Sequence, residues 1–421
     1  MAKFIRQRGT LDIFDKNAML YQYIIDTCYE VANSFNYTLI EVPTFEQTAL
    51  YTRSTGETSD IVTKEMYDFL DKSGRNISLR PEGTAGVIRA IVENKLYATN
   101  DLPLRYFYQG SFFRYERPQV GRYREFKQFG VEVVGSSSFL DDIETVLMIK
   151  EILNKLEIYN YKVRINTFGN ESCRNIHRNN IKEFFKAHID NLCEDCKNRY
   201  EKNPLRILDC KVDKEYIEKL TVPVSLDALD DTNKQLFEKI LNILKENDVK
   251  YEVDKYLVRG LDYYTGLIYE FDIETSDHKI LTIGGGGRYS NLVKELDGPD
   301  LDCIGFGIGI NRLAVILEDL YGLDKYQKQV KYYVMPLDES CYEISLKVAN
   351  TLRNKGNVVA LETNKRSVSS MFKLANKNNY QFAIMIGTDE INNNQVKIKN
   401  LVSQEQYYVD LKEILEGDFN G

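Results

Sequence analysis

The stretch from Leu104 to Gly135 decides the fold, and it reads LRYFYQGSFFRYERPQVGRYREFKQFGVEVVG. Its two apolar, aromatic-rich arms flank a run of arginines, a pattern that predicts a β-hairpin with a polar connecting loop. Between Leu104 and Lys127 there are six basic residues and two acidic ones. This local excess of positive charge predicts an anionic partner or, alternatively, a solvated face with cross-strand ion pairs.

The hairpin can carry a polar face in which a flat ligand could lie. Side chains alternate between the two faces of a strand, so Arg114 and Glu116 share one face of the first arm. On the returning arm a ring, an amide, a glycine and a carboxylate share a face: Phe126, Gln128, Gly130 and Glu132. A ring and a glycine among polar groups favour a ligand site over a purely solvated face.

The segments before the hairpin predict a helix, a strand and a second hairpin. Apolar residues recur at helical spacing from Asn17 to Phe35, and 38–43 reads as a strand closed by proline. MYDFL, a polar turn and ISLRPEGT (66–84) predict a hairpin that leads into a helix near Thr84. Thr84 is the expected N-cap, with Glu82 near the positive end of the helix. A carboxylate and a hydroxyl at this point suit an α-ammonium group.

Three segments after the hairpin carry further candidate groups. LVRGLDYYTG (257–266) places Arg259, which is always charged, in what reads as a buried strand. IGGGGRYS (283–290) lacks the residues of a phosphate-binding P-loop, so its glycines predict close approach of a ligand or another backbone. GFGIGINRL (305–313) predicts a helix with Arg312 in its first turn, where it meets a base or a phosphate or forms a surface ion pair.

The chain predicts an interrupted first domain and a smaller second one. We expect a domain over residues 1–325 that is interrupted by a polar, helical insertion at 172–248. Strand–helix alternation over 326–421 predicts a separate α/β domain. Lys331–Gly421 holds eleven basic and eleven acidic residues, so net charge does not mark it as an RNA binder. Its best local candidates are three cations expected on one helix: Arg366, Lys373 and Lys377.

Composition excludes several classes of protein. The 421 residues are 43% hydrophobic with a net charge of −8, as expected of a globular chain that does not coat nucleic acid non-specifically. The N-terminal segment has no long apolar run, so a cytoplasmic protein without a membrane anchor is expected.

Cysteine and histidine usage argues against two kinds of chemistry. Seven cysteines at irregular spacing do not form a disulfide framework, and with only three histidines a histidine general base is not expected. Cys193 and Cys196 form one CxxC with Cys210 further on, and only His188 lies near them in sequence, at no familiar spacing. No metal site is therefore predicted, and an inert thiol cluster is favoured.

Several of these segments together resemble the class II aminoacyl-tRNA synthetases. The N-terminal helix and strand are similar to their first motif, FRYE with FKQFGVEV to the second, and GFGIGINRL to the third. LVRGLDYYTG and GGGGRY resemble the two histidine-specific peptides of the histidyl-tRNA synthetase family. The resemblance implies an α+β catalytic domain with a mostly antiparallel sheet, a helical insertion and a C-terminal α/β anticodon-binding domain. It also implies a homodimer whose interface includes the first motif.

The resemblance implies that the chain ligates L-histidine to histidine tRNA through an adenylate made from ATP. Arg259 and Arg114 would flank the α-phosphate as catalytic residues, with Mg²⁺ on the β- and γ-phosphates. Histidine-binding residues would be Glu82, Gly83, Thr84, Arg114, Gln128, Glu132, Arg259, Tyr263, Tyr264 and Tyr289. ATP-binding residues would be Arg114, Glu116, Arg122, Phe126 and Arg312. The acceptor end of the tRNA would meet Gln119 and Arg124.

Two other interpretations stay open from the sequence. One is a catalytically inactive regulatory subunit of ATP phosphoribosyltransferase, which typically lacks the C-terminal domain and has a degraded LVRGLDYY peptide. The other is a synthetase for a different amino acid, such as glycine, threonine or proline, which lacks both histidine peptides. This chain keeps the domain and both peptides.

Overall fold

The computed structural model describes residues 4–56, 59–99, 101–261, 263–326 and 329–416. The chain forms two compact units, Met1–Tyr326 and Gln327–Gly421. Across the described ranges, no helix combines the length and the apolar character that a membrane crossing requires.

The strands are, in chain order from β1 to β16, Thr38–Leu39, Phe45–Gln47, Tyr67–Leu70, Asn76–Leu79, Leu104–Phe113, Glu125–Val134, Tyr161–Thr167, Tyr251–Val253, Leu267–Glu274, Ile280–Tyr289, Cys303–Gly309, Tyr332–Pro336, Val359–Leu361, Phe382–Ile386, Gln395–Asn400 and Gln406–Asp410. The α-helices are, from α1 to α15, Asp15–Ser34, Thr48–Thr55, Thr84–Glu93, Leu96–Thr99, Phe139–Lys155, Glu171–Lys186, Glu194–Lys202, Lys214–Ile217, Asp231–Glu246, Leu292–Glu295, Ile310–Tyr321, Tyr342–Asn354, Val368–Lys377, Thr388–Asn392 and Leu411–Glu416.

The first unit is built on a sheet that, within the described residues, has eight strands in the order β1-β5-β6-β11-β10-β9-β7-β8. The strands from β5 to β7 in this order all pair antiparallel, whereas the outer pairs β1–β5 and β7–β8 are parallel. The predicted hairpin is β5 and β6, and it lies inside the sheet. The prediction of a mostly antiparallel sheet is confirmed.

One face of this sheet is covered by helices. α1, α5 and α11 pack on an apolar layer to which β6 contributes Phe129, Val131 and Val133. The alternate residues of β6, Gln128 to Glu132, must then point to the opposite face. The helices pack against the apolar face of the sheet, so the opposite face can hold polar groups.

A smaller antiparallel sheet, β2-β4-β3, and the helical segment α6–α9 complete the first unit. The helical character of the segment between β7 and β8 is confirmed. α9 packs against α5, with Phe237, Ile240 and Leu244 in the main core. α6 to α8 join a second apolar cluster, which includes Ile181, Phe185 and Cys196.

The second unit is a five-stranded sheet in the order β13-β12-β14-β15-β16, counted within its described residues. β13, β12 and β14 are parallel, which confirms the predicted strand–helix alternation, and β15 and β16 add antiparallel strands. Arg366 was expected on one helix with Lys373 and Lys377. This is wrong, because α13 begins at Val368 and Arg366 pairs with Glu362 before the helix, at 3.1 Å.

Three local predictions for the first unit need correction. The strand expected over 38–43 is only Thr38–Leu39, because the chain leaves β5 before Pro43, which has no N–H to pair. Arg259 does not lie in a strand: 257–259 has no regular structure, and β9 begins at Leu267. Thr84 is not the N-cap of α3 but its first residue, and Gly83 occupies the cap position.

Candidate active site

A row of three glycines crosses the open face of the sheet. Gly130 of β6 pairs with Gly307 of β11, which pairs with Gly285 of β10. Tyr108 of β5 closes one end of the row, and Glu270 of β9 closes the other. We call this row the glycine strip. Because it has no side chains, backbone forms its surface, and a flat ligand can approach closely.

Glycine is needed in β11 because polar side chains of β6 lie over it. A Cβ at Gly305 would lie 2.0 Å from Oε2 of Glu132, and a Cβ at Gly307 would lie 2.3 Å from Nε2 of Gln128. Any larger residue at these positions would displace the carboxylate or the amide. The alternating glycines of GFGIG therefore make room for the polar groups of β6.

A cavity of about 240 Å³ opens beside the glycine strip. It brings together all five residues predicted for ATP, of which Arg114 is also predicted for histidine, and two further residues predicted for histidine: Arg114, Glu116, Arg122, Phe126, Arg312, Gln128 and Arg259. The guanidinium of Arg114 lies 5.4 Å from the centre of the Phe126 ring. Such a stack holds a cation and a planar surface side by side.

The charged groups of this cavity are held by specific partners. Nε of Arg114 donates to the carbonyl of Pro81 at 2.8 Å, and Arg122 pairs with Glu116. Arg312 lies in the first turn of α11, as predicted, and donates to the carbonyl of Thr282. Since four arginines and two glutamates line this cavity, its charges favour an anion.

Arg259 reaches the other end of the glycine strip from its loop. Its guanidinium donates to Glu270 at 2.5 Å and to the carbonyl of Gly285 at 3.2 Å. Burial by itself lowers the pKa of Arg259, but Tyr264 and Glu270 outweigh burial and raise it above its ordinary value. The cation is therefore permanent, and its Nε has no hydrogen-bond partner among the described residues.

A second group of polar side chains lies buried next to the cavity and contains Glu132. Its carboxylate accepts from Thr84 Oγ1 at 2.7 Å and from the hydroxyl of Tyr289. Burial raises the pKa of Glu132 to about 8, although the bonds from Tyr289 and Thr84 oppose the rise. A carboxyl that titrates near neutrality and is fixed by two hydroxyls can accept a hydrogen bond from a ligand N–H.

The N-terminus of α3 holds Glu82 in the same group. Its carboxylate accepts from the backbone N–H of Thr84 at 2.7 Å and of Ala85 at 2.8 Å, so Glu82 caps the helix in place of the predicted Thr84. Burial raises the pKa of Glu82, and these backbone bonds act against the rise. Glu82 and Thr84 thus lie at one point, as expected for residues that meet an ammonium group.

Three tyrosines line this buried group. The ring of Tyr263 lies 4.8 Å from that of Tyr264 and 5.3 Å from that of Tyr289, measured between centroids. All three are buried, and burial raises their pKa values. Their hydroxyls remain neutral and can donate or accept.

The sequence missed Tyr108, which joins the two groups. Its hydroxyl lies 3.4 Å from Nε2 of Gln128, and a Cβ at Gly83 would lie 2.2 Å from its ring. Gly83 is therefore needed because the Tyr108 ring packs directly on it. The alternation of side chains along β5 predicts the face on which Tyr108 lies, but it does not predict which residues of other segments Tyr108 contacts.

Glu270 was also missed, although it pairs with Arg259. Arg164 of β7 donates to Glu270 at 2.5 Å and to Asp272 at 2.6 Å. The contact requires β7 and β9 to be neighbours, and their pairing joins residues more than a hundred positions apart in the chain. No local signal in the sequence points to it.

The two residues predicted for the tRNA acceptor end do not join either group. Gln119 is exposed at the tip of the β5–β6 loop, where it pairs with Arg122 through the backbone. Arg124 stacks on Tyr115 at 3.8 Å, and its backbone N–H donates to the carbonyl of Gly9. They lie on the loop beside the cavity entrance and not among its lining.

The chain is similar to known proteins over nearly its whole length. The sequence profile described as histidyl-tRNA synthetase matches residues 9–313, and that described as anticodon binding domain matches 331–417. The histidine–tRNA ligase of Thermosipho melanesiensis is 41% identical over 403 residues, covering 96% of this chain and 95% of the relative. That of Lactobacillus helveticus is 40% identical over 412 residues, covering 97% and 96%. The crystal structure of apo S. aureus histidyl-tRNA synthetase has a TM-score of 0.84 and 31% identity, covering 99% of each chain.

Proposed function

The chain belongs to the histidyl-tRNA synthetase family, and on that premise we propose that it ligates histidine to its cognate tRNA in two steps. In the first step, the carboxylate of histidine attacks the α-phosphate of ATP, which forms histidyl-adenylate and releases pyrophosphate. In the second, the terminal ribose hydroxyl of the tRNA attacks the acyl carbon, and AMP leaves. The observation that carries the proposal is the glycine strip between the arginine-lined cavity and the buried carboxyl of Glu132.

Arg114 and Arg259 are the proposed catalytic residues of the first step. The attacking carboxylate is already ionised, so no protein base is needed. Negative charge grows on the oxygens of the α-phosphate in the transition state, and fixed cations stabilise it most when no reorganisation is required. The bonds from Arg114 to Pro81 and from Arg259 to Glu270 and Gly285 supply that fixed placement.

The same cavity would hold ATP. Phe126 and Arg312 would stack on the two faces of the adenine, Glu116 would accept from its amino group, and Arg122 would meet the γ-phosphate. Because Arg122 now pairs with Glu116, binding would exchange that ion pair for contacts to the nucleotide. All of these residues line the cavity, which supports this assignment.

The residues present also fit Mg²⁺ brought in with the nucleotide. Glu116 and Glu270 line the cavity, and Mg²⁺ prefers carboxylate and phosphate oxygens. Bound there, the ion would neutralise charge on the β- and γ-phosphates. The α-phosphate would be left to the two arginines.

The buried group is the proposed histidine pocket. Glu82 and Thr84 would bind the α-ammonium, with Gln128 near the carboxylate. Glu132 would accept from one imidazole nitrogen, Tyr264 would bond the other, and Tyr263 and Tyr289 would close the pocket. A pocket lined by polar groups rejects a side chain that leaves them without partners by up to about 10⁴-fold.

We assign tRNA contacts to two regions. Gln119 and Arg124 on the β5–β6 loop would contact the acceptor end, and their position outside the cavity leaves them accessible. The second unit would bind the anticodon, which the match of residues 331–417 to an anticodon binding domain supports. Lys373 and Lys377 are exposed on one face of α13 and are its proposed contacts.

We also propose a homodimer in the cytoplasm. Cross-strand neighbours place Phe45, Leu79 and Tyr67 on one face of the β2-β4-β3 sheet, with Ile77 and Phe69 beside them. Phe45 and Phe69 are 57% and 47% exposed, which is more apolar surface than such a small sheet usually leaves uncovered. A second copy of the chain is the proposed cover, and this sheet follows directly on the helix and strand that resemble the first motif, through which the resemblance implies dimerisation.

One experiment separates this function from the two alternatives. We expect ATP–pyrophosphate exchange with histidine only, when the chain is tested against each amino acid, followed by charging of purified histidine tRNA. Exchange with glycine, threonine or proline would establish a different synthetase. Absence of exchange with every amino acid would favour the inactive regulatory subunit.

A further inference from the structure

Four potential metal ligands meet in the helical segment, outside the site described above. They are Cys193, Cys196, Cys210 and Asp213, and their sulfur and carboxylate oxygen atoms all lie within 4.8 Å of one another. Cys193 Sγ lies 3.7 Å from Cys210 Sγ, which in turn lies 3.7 Å from Asp213 Oδ2. From this geometry we propose that the four residues bind one zinc ion.

The distances fit the edges of a tetrahedron around zinc. Zn–S bonds of about 2.3 Å and Zn–O bonds of about 2.0 Å give edges of roughly 3.8 Å between sulfurs and roughly 3.5 Å between sulfur and oxygen. A disulfide needs about 2.05 Å between sulfurs, so Cys193 and Cys210 are not bonded. Two thiols in simple contact would show a similar separation, but simple contact does not explain why four potential ligand atoms lie within 4.8 Å of one another.

Asp213 is the ligand that the sequence did not reveal. The sequence predicts no metal site because only His188 lies near the CxxC, but Nδ1 of His188 lies 2.8 Å from the hydroxyl of Tyr216. Asp213 follows Cys210 by three positions, as Cys196 follows Cys193. The pairs C-x₂-C and C-x₂-D have the same internal spacing as the two ligand pairs of C-x₂-C…C-x₂-C zinc sites, with aspartate in place of the fourth cysteine.

The backbone orients these ligands. The N–H of Cys193 donates to Asp213 Oδ2 at 3.0 Å, and the N–H of Asp213 donates to Cys210 Sγ at 3.4 Å. Bonds of this kind fix the direction of metal ligands and are expected around a real centre. They also link the start of α7 to the turn before α8.

Burial and charge favour a bound cation. Cys196, Cys210 and Asp213 are 0%, 6% and 8% exposed. Among the described residues, no lysine or arginine forms an ion pair with Asp213, although buried carboxylates are normally paired. Three thiolates select a soft metal over Mg²⁺ or Ca²⁺, and availability and tetrahedral geometry favour zinc.

A zinc ion bound here would fix the position of the residues that line a cavity beside the proposed active site. Cys210 lines a second cavity, of about 440 Å³, that also contacts Arg114 and Arg259. Arg199 and Arg206, which lie between the two ligand pairs, both reach Asp60, at 2.9 and 3.3 Å. Zinc would hold these arginines in place, so its role is structural.

The decisive measurement is the metal content of the full-length chain, purified without chelator and analysed by mass spectrometry of the elements. We expect about one zinc per chain. Cys210→Ser and the milder Asp213→Asn should reduce the content severalfold or more, because a tetrahedral site seldom survives loss of a ligand. Cys341→Ser is the matched control, since Cys341 is also buried with its Sγ 3.5 Å from a carboxylate, that of Asp338.

A second measurement keeps the test independent of whether a variant folds. The wild-type chain, stripped of metal and titrated with Co²⁺, should develop the visible absorption of tetrahedral cobalt–thiolate at one equivalent. A wild-type chain that contains no zinc and gives no such absorption would overturn the proposal. So would zinc retained equally in Cys210→Ser, Asp213→Asn and the control, because the ion would then lie elsewhere.

Discussion

At the scale of single residues, Arg259 shows how a cation can be buried without destabilising the fold. It shares Glu270 with Arg164, which also bonds Asp254 and Asp272. If Arg259 is removed, each of these carboxylates still pairs with Arg164. The side chain proposed for catalysis is thus not the one on which the ion-pair network depends.

For this reason Arg259→Ala should fold normally and lose chemistry. We expect adenylate formation to slow by about 10²-fold or more, as the loss of one fixed charge in a transition state does. Single-turnover adenylation measures this, with thermal unfolding as the test of folding. Arg53→Ala, which breaks an exposed pair with Asp297, should leave the rate unchanged. Near-normal adenylation by a folded Arg259→Ala chain would refute its proposed role.

Glu132 should decide which amino acid is bound. Glu132→Gln keeps the shape but replaces one acceptor oxygen with a donor, so an imidazole N–H would lose its partner. We expect histidine binding to weaken at least tenfold while ATP binding changes little, since a buried polar group left without its partner costs about 1–3 kcal/mol. Calorimetric titration with histidine and with ATP measures the two affinities separately. Equal losses for histidine and ATP would mean that Glu132 is structural.

The raised pKa of Glu132 predicts how the stability of the protein depends on pH. The folded pKa of Glu132 is about 8 against an ordinary 4.5, so the folded state binds more protons between these values. Its contribution to stability is intact below about 4.5 and is lost as pH rises through about 8. Glu132→Gln removes this loss, so the melting temperature of the variant relative to wild type should rise between pH 5 and pH 9. A constant difference across that range would contradict the raised pKa.

At the scale of elements, the glycine strip is the feature most sensitive to small changes. Gly307→Ala would place a methyl group against Gln128 and on the surface where a ligand lies. We expect pyrophosphate exchange to fall by about 10²-fold, because misplacement by an ångström is that costly, while unfolding changes modestly. Gly260→Ala is the matched control, since a Cβ there meets nothing within 4 Å. Comparable exchange by both variants would show that the strip does not carry the ligand.

The sequence predicted elements better than it predicted their partners. The hairpin of β5 and β6, α1 and the alternation of the second unit were readable because each has a strong local period. The neighbours of β9 were not, since the ladder with β7 joins distant parts of the chain, and so the role of Glu270 was hidden. The N-cap of α3 was predicted wrongly for a local reason. The carboxylate of Glu82 accepts from the backbone N–H of Thr84, whereas Thr84 as the N-cap would have needed an extended backbone.

At the scale of the whole molecule, the two units should separate by function. All residues proposed for adenylation lie in Met1–Tyr326. The boundary matters, because Tyr326 is buried in the main core and lies 5.5 Å from the ring of Tyr23. A truncated chain that ends near Asp324 would lose the contact between Tyr326 and Tyr23, so a truncation that isolates the first unit should end at Tyr326.

A chain of residues 1–326 should stay dimeric and exchange pyrophosphate with histidine at close to the full-length rate. It should charge tRNA poorly, because binding energy from the anticodon, far from the reacting centre, is lost. Sedimentation gives the assembly state, and aminoacylation gives the charging rate. Full-rate charging by the folded truncation would show that the second unit is not the anticodon reader.

The glycine strip also has a bearing on inhibitor resistance. A compound that lies flat over Gly285 and Gly307 would touch backbone there, and point mutations usually defeat an inhibitor by changing the side chains it contacts. At Gly285 a Cβ would lie 2.1 Å from the carbonyl oxygen of Tyr269, so the chain has no tolerable substitution to offer. Escape would be confined to the rim, where Phe126, Arg312 and Tyr108 lie, and a change at Phe126 or Arg312 would also remove a proposed contact to ATP.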